Sequence, residues 1–323
     1  MMVRADSEQA SHDDAPIDWL DGDCPLCGRR EEEPRFEAAD HTPQGGNAGK
    51  RFLVVRCRHC ATSYTNPRPG PRSIGRFYPR DYKPHRRPSK VRHSPAKPRL
   101  LSRLLGRSRE RRGELPWDGP GRLLDFGCGS GSYLHRMAAQ GWEVTGLDAA
   151  VGPVRRIREE YGLRALAGEL PHPELQPCTF DVVTMWHSLE HVQEPLATLR
   201  EAHRLLVPGG KLIVACPNIE SWAFRRFGRD WFGLDVPRHL THFTPTTLLA
   251  MLHAAGFGAS VVRSIRHGVW MKHSARLAAR GGRTGWVHRI LGTKTGSKAW
   301  AWVLHMVNAG DCFLIVAERP HTL

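Results

Sequence analysis

The chain of 323 residues has no apolar run long enough to cross a bilayer; the longest candidate, Trp300 to Val307, is short and carries His305. Its first residues, Met1 to Asp23, are polar and acidic and lack the positive start and apolar stretch of a signal peptide. A cytoplasmic protein is therefore expected. Acidic residues are scarce, 32 Asp and Glu against 47 Lys and Arg, for a formal charge of +15. That imbalance favours an anionic partner, whether nucleic acid, nucleotide-linked substrate or acidic membrane surface, without choosing among them. There is no internal repeat. Hydrophobic residues make up 40% of the chain, enough for a real core in one large domain plus a small one.

Of the 8 cysteines, four fall in two pairs near the N-terminus. The others, Cys128, Cys178, Cys216 and Cys312, are scattered. In a reducing compartment the pairs point to metal and the singles to packing. Cys24-Pro25-Leu26-Cys27 and Cys57-Arg58-His59-Cys60 each separate two thiolates by two residues, so both reach one tetrahedral ion from a single turn. Cys24, Cys27, Cys57 and Cys60 are thus expected to hold a structural Zn2+, with His59 as a spare imidazole. Gly45 to Gly49 supplies the loop that the long gap between the pairs requires. A four-thiolate site has no open position, so its role is to fold a segment too small to build its own core.

The organisation follows from composition. Residues 1–22 are expected as a disordered acidic tail, 23–82 as a zinc ribbon with a strand at Phe52 to Arg56, and 83–118 as a basic linker. Lys83 to Arg112 holds twelve Lys and Arg against one acidic residue, Glu110. Within it, Pro98 to Arg112 sets Leu100, Leu101, Leu104 and Leu105 on one helical face, for packing on the next domain or for a membrane or RNA. From 119 to 323 strands and helices alternate, which predicts an α/β sheet of mostly parallel order with the last strand antiparallel. The expected strands are Arg122–Phe126, Glu143–Leu147, Phe180–Met185, Lys211–Cys216, Val261–Ile265 and Asp311–Arg319. The expected helices are Ser132–Gln140, Gly152–Tyr161, Pro195–Leu206 and Thr246–Ala255. Segments about 217–245 and 266–310 are read as lid or acceptor elements.

The central signal is Leu123-Leu124-Asp125-Phe126-Gly127-Cys128-Gly129-Ser130-Gly131, an apolar strand running into a glycine turn before a helix. Such glycines let the backbone turn tightly and approach a ligand. Asp148 ends the next strand, where a carboxylate can accept hydrogen bonds from ribose hydroxyls. Two details separate this from a dinucleotide site: the third glycine of that pattern is Ser132 here, and Asp125 would repel a pyrophosphate. Beside a sulfonium the same carboxylate is tolerable and can orient the loop or the ligand's amino group.

These motifs, with Phe180-Asp181-Val182-Val183, Leu189-Glu190-His191-Val192 and Leu206-Val207-Pro208-Gly209-Gly210, resemble the class I S-adenosylmethionine (SAM)-dependent methyltransferases from about Gly121 onward. The ribbon, the segment Phe77-Tyr78-Pro79-Arg80-Asp81-Tyr82 and the stretch Pro237 to Thr244 are similar to a bacterial group whose members sit in polysaccharide, glycolipid or secondary-metabolite pathways. The resemblance implies a Rossmann-like fold with SAM as cofactor. Gly127, Cys128, Gly129 and Gly131 would line its methionine part, Asp148 its ribose and Gly168-Glu169-Leu170 its adenine, while Trp186-His187 would cover it. The sugar C-methyltransferases share the layout, but their longer acceptor-binding N-terminal segment is missing.

His187-Ser188-Leu189-Glu190-His191 formally matches the inverted zinc-protease motif, which must lie in a helix; here it follows a buried strand. Some ubiquinone-pathway O-methyltransferases, similar at this loop, bind a divalent metal through acidic residues and a histidine. Methyl transfer needs alignment, exclusion of water and often a base, for which His191, His239 and His242 are the candidates. Arg238 could hold an anionic acceptor. Trp222 to Phe227, Trp231-Phe232 and the Lys298–Val307 helix mix aromatics with basic residues, for stacking, sugar, lipid contact or a core-facing lid. The expected activity is methylation at oxygen, nitrogen or carbon of a small molecule or a glycan, lipid or secondary-metabolite precursor. An RNA methyltransferase and a non-catalytic partner-binding protein are the alternatives. Against RNA, Met185-Trp186-His187-Ser188 stands where a base-methylating enzyme carries Asn-Pro-Pro-Tyr.

Overall fold

The computed structural model describes residues 16–41, 49–79, 82, 85–86 and 119–321. The expected helix Pro98–Arg112 lies outside the described residues. Residues 16–22, expected in the tail, instead supply β1 (Trp19–Leu20), which pairs with β5 (Arg68–Pro69).

The ribbon is built on β2 (Glu32–Ala39), β3 (Arg51–Cys57) and β4 (Ser63–Thr65), consecutive antiparallel strands. After it, strands and helices alternate as the pattern predicted: β6 (Arg122–Phe126), α1 (Ser132–Ala138), β7 (Glu143–Asp148), α2 (Val151–Tyr161), β8 (Arg164–Ala167), β9 (Phe180–Trp186), α3 (Pro195–Leu205) and β10 (Leu206–Pro217). Strand β10 starts directly at the end of α3. Pro208-Gly209-Gly210 falls where its pairing with β9 shifts register. Next come α4 (Trp222–Phe227), β11 (Thr241–His242), α5 (Pro245–Ala254), β12 (Ser260–Ile265), α6 (Gly268–Arg280), α7 (Trp286–Leu291), α8 (Lys294–Met306) and β13 (Cys312–Glu318).

Seven strands form one sheet in the order β12-β13-β10-β9-β6-β7-β8. Strand β13 runs antiparallel to both neighbours, and the pairs from β10 to β8 are parallel. This is the Rossmann-like methyltransferase order. The central strands read as continuous apolar runs because both faces are covered. Leu123, Val182 and Ile213 meet α1 and α2 through Leu134, Met137, Val154 and Ile157. Leu124, Val183 and Val214 meet α3 and α5 through Leu199, Leu205, Leu248 and Met251. Helix α5 starts where Thr244 accepts from the Thr247 N–H at 3.1 Å, with Pro245 in the first turn.

The ribbon does not stand apart from this sheet. Strand β11, from the segment read as a lid, adds to β4 with Thr241 opposite Tyr64 and His242 opposite Ser63. Ala38, Phe52, Val54 and Phe77 of the ribbon share one core with Phe227, Trp231, Met271 and Leu304.

Arg238, expected to bind an acceptor, is only 2% exposed and locks this junction. Its Nη2 meets Asp40 of the ribbon at 3.0 Å and Asp235 at 2.6 Å. Nη1 donates to Asp40 and to the Phe77 carbonyl, and Nε donates to Asp235. All five N–H donors are thus committed, and none is left for a substrate. Breaking a buried pair strands its carboxylates. Arg238→Gln should therefore lower the unfolding free energy by about 3–5 kcal/mol in urea melts; a loss below about 1 kcal/mol would show that water replaces the guanidinium.

Candidate active site

The glycine turn opens at the carboxyl end of β6. Gly127, Gly129 and Gly131 all take positive φ, at 72°, 53° and 71°. Side chains are barred at two of them by close neighbours: a Cβ on Gly127 would lie 2.5 Å from the Ser188 Cβ, and one on Gly131 would lie 2.5 Å from the Ile157 Cγ1. The first contact also shows that the loop after β9 presses on the turn, and the Ser188 hydroxyl donates to the Phe126 carbonyl at 2.9 Å.

Asp148 closes β7 beside this turn. One carboxylate oxygen accepts the Gly129 N–H at 2.8 Å and the other accepts the Ala150 N–H at 2.9 Å. Each oxygen keeps a further lone pair for a ligand hydroxyl. The Gly168 N–H donates to the Asp148 carbonyl at 2.9 Å, which brings Gly168, Glu169 and Leu170 to the same edge. Asp125 is buried under the turn and accepts from the Thr184 hydroxyl at 2.7 Å, so it braces the loop from below. The Cys128 side chain also points into the protein, where burial pushes its thiol well up; only its backbone belongs to the turn. Trp186 packs edge-on to Tyr133 with ring centroids 5.6 Å apart.

Glu190 is 1% exposed, and its Oε1 lies 3.4 Å from the His187 Nδ1 and 4.0 Å from the His239 Nε2. His191 and His239 stack edge to face at 4.6 Å. The His191 Nδ1 faces the Arg238 carbonyl at 3.0 Å, and the His239 Nδ1 faces the Gly233 carbonyl at 2.9 Å. A carbonyl only accepts, so both Nδ1 atoms carry the proton and both Nε2 lone pairs are left open. His242 differs. Thr65 Oγ1 spends its hydrogen on the His239 carbonyl, so the His242 Nε2 must donate to Thr65 at 3.1 Å. His242 is thereby a buried tie to the ribbon sheet and not a base.

Three side chains missed as site residues lie against His191 and Asp148. The Tyr78 hydroxyl lies 2.9 Å from the His191 Nδ1, the Tyr82 ring packs on both Tyr78 and His85, and the His85 Nε2 stands 3.7 Å from Asp148. The sequence marked Phe77 to Tyr82 only as a resemblance; its run of tyrosines was the available signal. Asp311 was also missed. It is 3% exposed at the start of β13, with no hydrogen-bond partner for its carboxyl among the described residues, and burial pushes it up to about 7.

A cavity of about 300 Å³ opens between the ribbon and the 266–310 segment. His41, His273, Arg276 and Arg280 line it with Trp231 and Leu277. Asp235 lines it too, and its Oδ2 lies 4.0 Å from the His239 Nε2.

Residues 86–259 match the family described as "Methyltransferase domain". The chain belongs to that family. It is an enzyme that uses SAM. The ubiquinone biosynthesis O-methyltransferase of Xanthomonas euvesicatoria pv. vesicatoria is 32% identical over 177 residues, 49% of this chain and 71% of that protein. The protein of the same name from Aliivibrio fischeri is 35% identical over 143 residues, 41% of this chain and 61% of its own. The SAM-dependent methyltransferase from Mesorhizobium loti aligns over 64% of this chain and 94% of its own, with 20% identity and a TM-score of 0.45. No helix among the described residues of the methyltransferase is long and apolar enough to cross a membrane.

Burial sets how the histidines respond to acid. It pushes His191 down to about 4, aided by neighbouring His239, and His242 down to about 3, aided by Arg35. In the unfolded chain both take their proton near 6.5. Between these values the unfolded state binds more protons, so stability is full above about 6.5 and falls as pH drops towards 4. Thermal melts at pH 7.5, 6 and 5 should show a falling midpoint; a flat profile would mean that both imidazoles reach solvent.

Proposed function

We propose that this methyltransferase methylates a hydroxyl of a small acceptor that combines an apolar body with an anionic group. The observation that carries this reading is the His191–His239 pair, whose Nδ1 atoms are held by carbonyls and of which the His239 Nε2 lies 4.0 Å from Asp235, a residue lining the cavity that also carries Arg276 and Arg280. The relatives named as O-methyltransferases support oxygen as the methylated atom.

Bound SAM supplies a methyl group already activated by its sulfonium. In this reading Gly127, the Cys128 backbone, Gly129 and Gly131 hold its methionine part, Asp148 its ribose, and Gly168, Glu169 and Leu170 its adenine. Trp186 and His187 cover it, and Asp125 braces the turn. The acceptor's anion rests on Arg276 and Arg280 while its apolar body lies on Trp231 and Leu277. Burial keeps His191 and His239 neutral, so an Nε2 lone pair is available for the hydroxyl proton, and Glu190 steadies the charge that results.

Calorimetry tests the first half of this reading. SAM and S-adenosylhomocysteine should bind and NAD should not, and Asp148→Ala should weaken SAM by about 1–3 kcal/mol, the scale for unpaired ribose hydroxyls. Labelled-methyl assays on phenolic and carboxylate-bearing acceptors test the second half. Arg276→Ala with Arg280→Ala should raise KM and leave SAM affinity unchanged; an unchanged KM would remove the cavity from the acceptor path.

Two metal sites belong to the same proposal. The Cys24 and Cys60 sulfurs are 3.4 Å apart, and those of Cys27 and Cys57 are 3.5 Å apart. Tetrahedral zinc at its usual bond length sets sulfurs about 3.8 Å apart, so the four thiols fit a structural zinc that would organise the 23–82 ribbon. Separately, Glu190, His191 and His239 bring ligand atoms within 4.8 Å of one another. Nδ1–H groups held by carbonyls are what oriented metal ligands show, so this set fits a divalent ion as the alternative to the histidine base: the Nε2 lone pairs would then hold the ion, which would supply Lewis acidity at the acceptor oxygen, and neither histidine would take the proton. Metal analysis separates the two. One zinc should vanish in Cys57→Ser with loss of ribbon structure, and a second equivalent should vanish in Glu190→Gln alone. Full metal content in both variants would refute both sites.

A further inference from the structure

Helices α6, α7 and α8 lie beyond residue 259, where the family match ends. They pack on one another and on the ribbon through Met271, Ala275, Leu291 and Leu304. Their outer side is not the polar surface that a helix facing water usually carries. On α8, Ser297, Ala301 and Leu304 are buried, while Trp302, Val303 and Met306 face the opposite way with Val307 just beyond. Trp302 is 51% exposed, Met306 65% and Val307 66%. On the adjoining α7, Trp286 is 75% exposed and Ile290, one turn on, is 50% exposed. An apolar stripe backed by a second, buried stripe is more than one helix needs for its own fold.

Charge distinguishes among occupants. From Val236 to Gly310 the chain has no Asp or Glu. From Gly268 to Met306 it has seven Lys and Arg; on α7 and α8 themselves Arg289, Lys294 and Lys298 are exposed, while Arg276 and Arg280 of α6 line the cavity. Two copies of such a face would set cation against cation, so self-association is disfavoured. Nucleic acid would use the cations but gain nothing from Val303, Met306 and Val307. Tryptophan, aliphatic side chains and basic residues together, with no acid among them, match the boundary of an anionic bilayer, where rings sit at headgroup depth and cations meet lipid phosphates.

We infer that the outer face of α7 and α8 docks this methyltransferase on the surface of an anionic membrane, without spanning it. The inference stands apart from the acceptor reading.

The test is co-sedimentation of the full chain with vesicles of phosphatidylcholine alone and of phosphatidylcholine mixed with phosphatidylglycerol. The protein should pellet with the mixed vesicles and stay in solution with the neutral ones. The triple variant Trp286→Ser, Trp302→Ser and Met306→Ser should bind the mixed vesicles about tenfold more weakly or less, because each change removes inserted apolar area. Its affinity for SAM should be unchanged, which also reports that it is folded. Wild-type protein left in the supernatant would overturn the proposal. So would a variant that pellets as well as the wild type, which would assign the attraction to charge elsewhere, such as the basic stretch 83–112. A wild-type dimer that becomes monomeric in the variant would also overturn it, by giving the face to self-association.

Discussion

The guanidinium of Arg238 is the constraint on which the arrangement turns. A cation that never loses its proton cannot be left in an apolar junction without carboxylates around it. One comes from the ribbon, Asp40, and one from its own loop, Asp235. Burial opposes ionisation of Asp235, but the guanidinium prevails and holds that carboxyl below its ordinary range. The same loop carries the carbonyl that sets the tautomer of His191 and the carboxylate that approaches His239. The ribbon and the 235–239 loop beside the histidine pair are therefore tied by a single buried cation, and the position of the pair depends on the ribbon being in place.

Much of the catalytic half was legible in the sequence because its signals are local. The glycine turn, the acid at the end of β7 and the alternation of apolar strands with amphipathic helices are each fixed within a few residues. Most strand and helix limits moved by one or two residues, as expected where ends are set by caps such as Thr244, while the strand expected from Lys211 begins five residues earlier, at Leu206. What the sequence hid depends on partners far along the chain. Thr241–His242 reads as a fragment of loop until β4 is seen beside it. Arg238 read as an acceptor ligand and His242 as a base because Arg and His serve both chemistry and buried ties, and only their neighbours decide which. The cavity was hidden for the same reason, since its wall comes from the ribbon, the 231–236 loop and α6.

The segment at Tyr78, Tyr82 and His85 links the ribbon to the cofactor end of the site. It touches His191 at one end and approaches Asp148 at the other, so the histidine pair and the carboxylate that ends β7 share a boundary. The ribbon thus reaches the histidine pair and Asp148 through the chain that leaves it.

Strand β11 also governs the order of assembly. The ribbon is synthesised first, yet its sheet takes its last strand from residues 241–242, after most of the catalytic sheet has been made. Until then β4 presents an open edge, able to pair with any extended chain that meets it. The N-terminal unit is therefore among the last parts to reach its final form, and an interruption of synthesis before Thr241 leaves a cysteine-bearing hairpin with an unpaired strand.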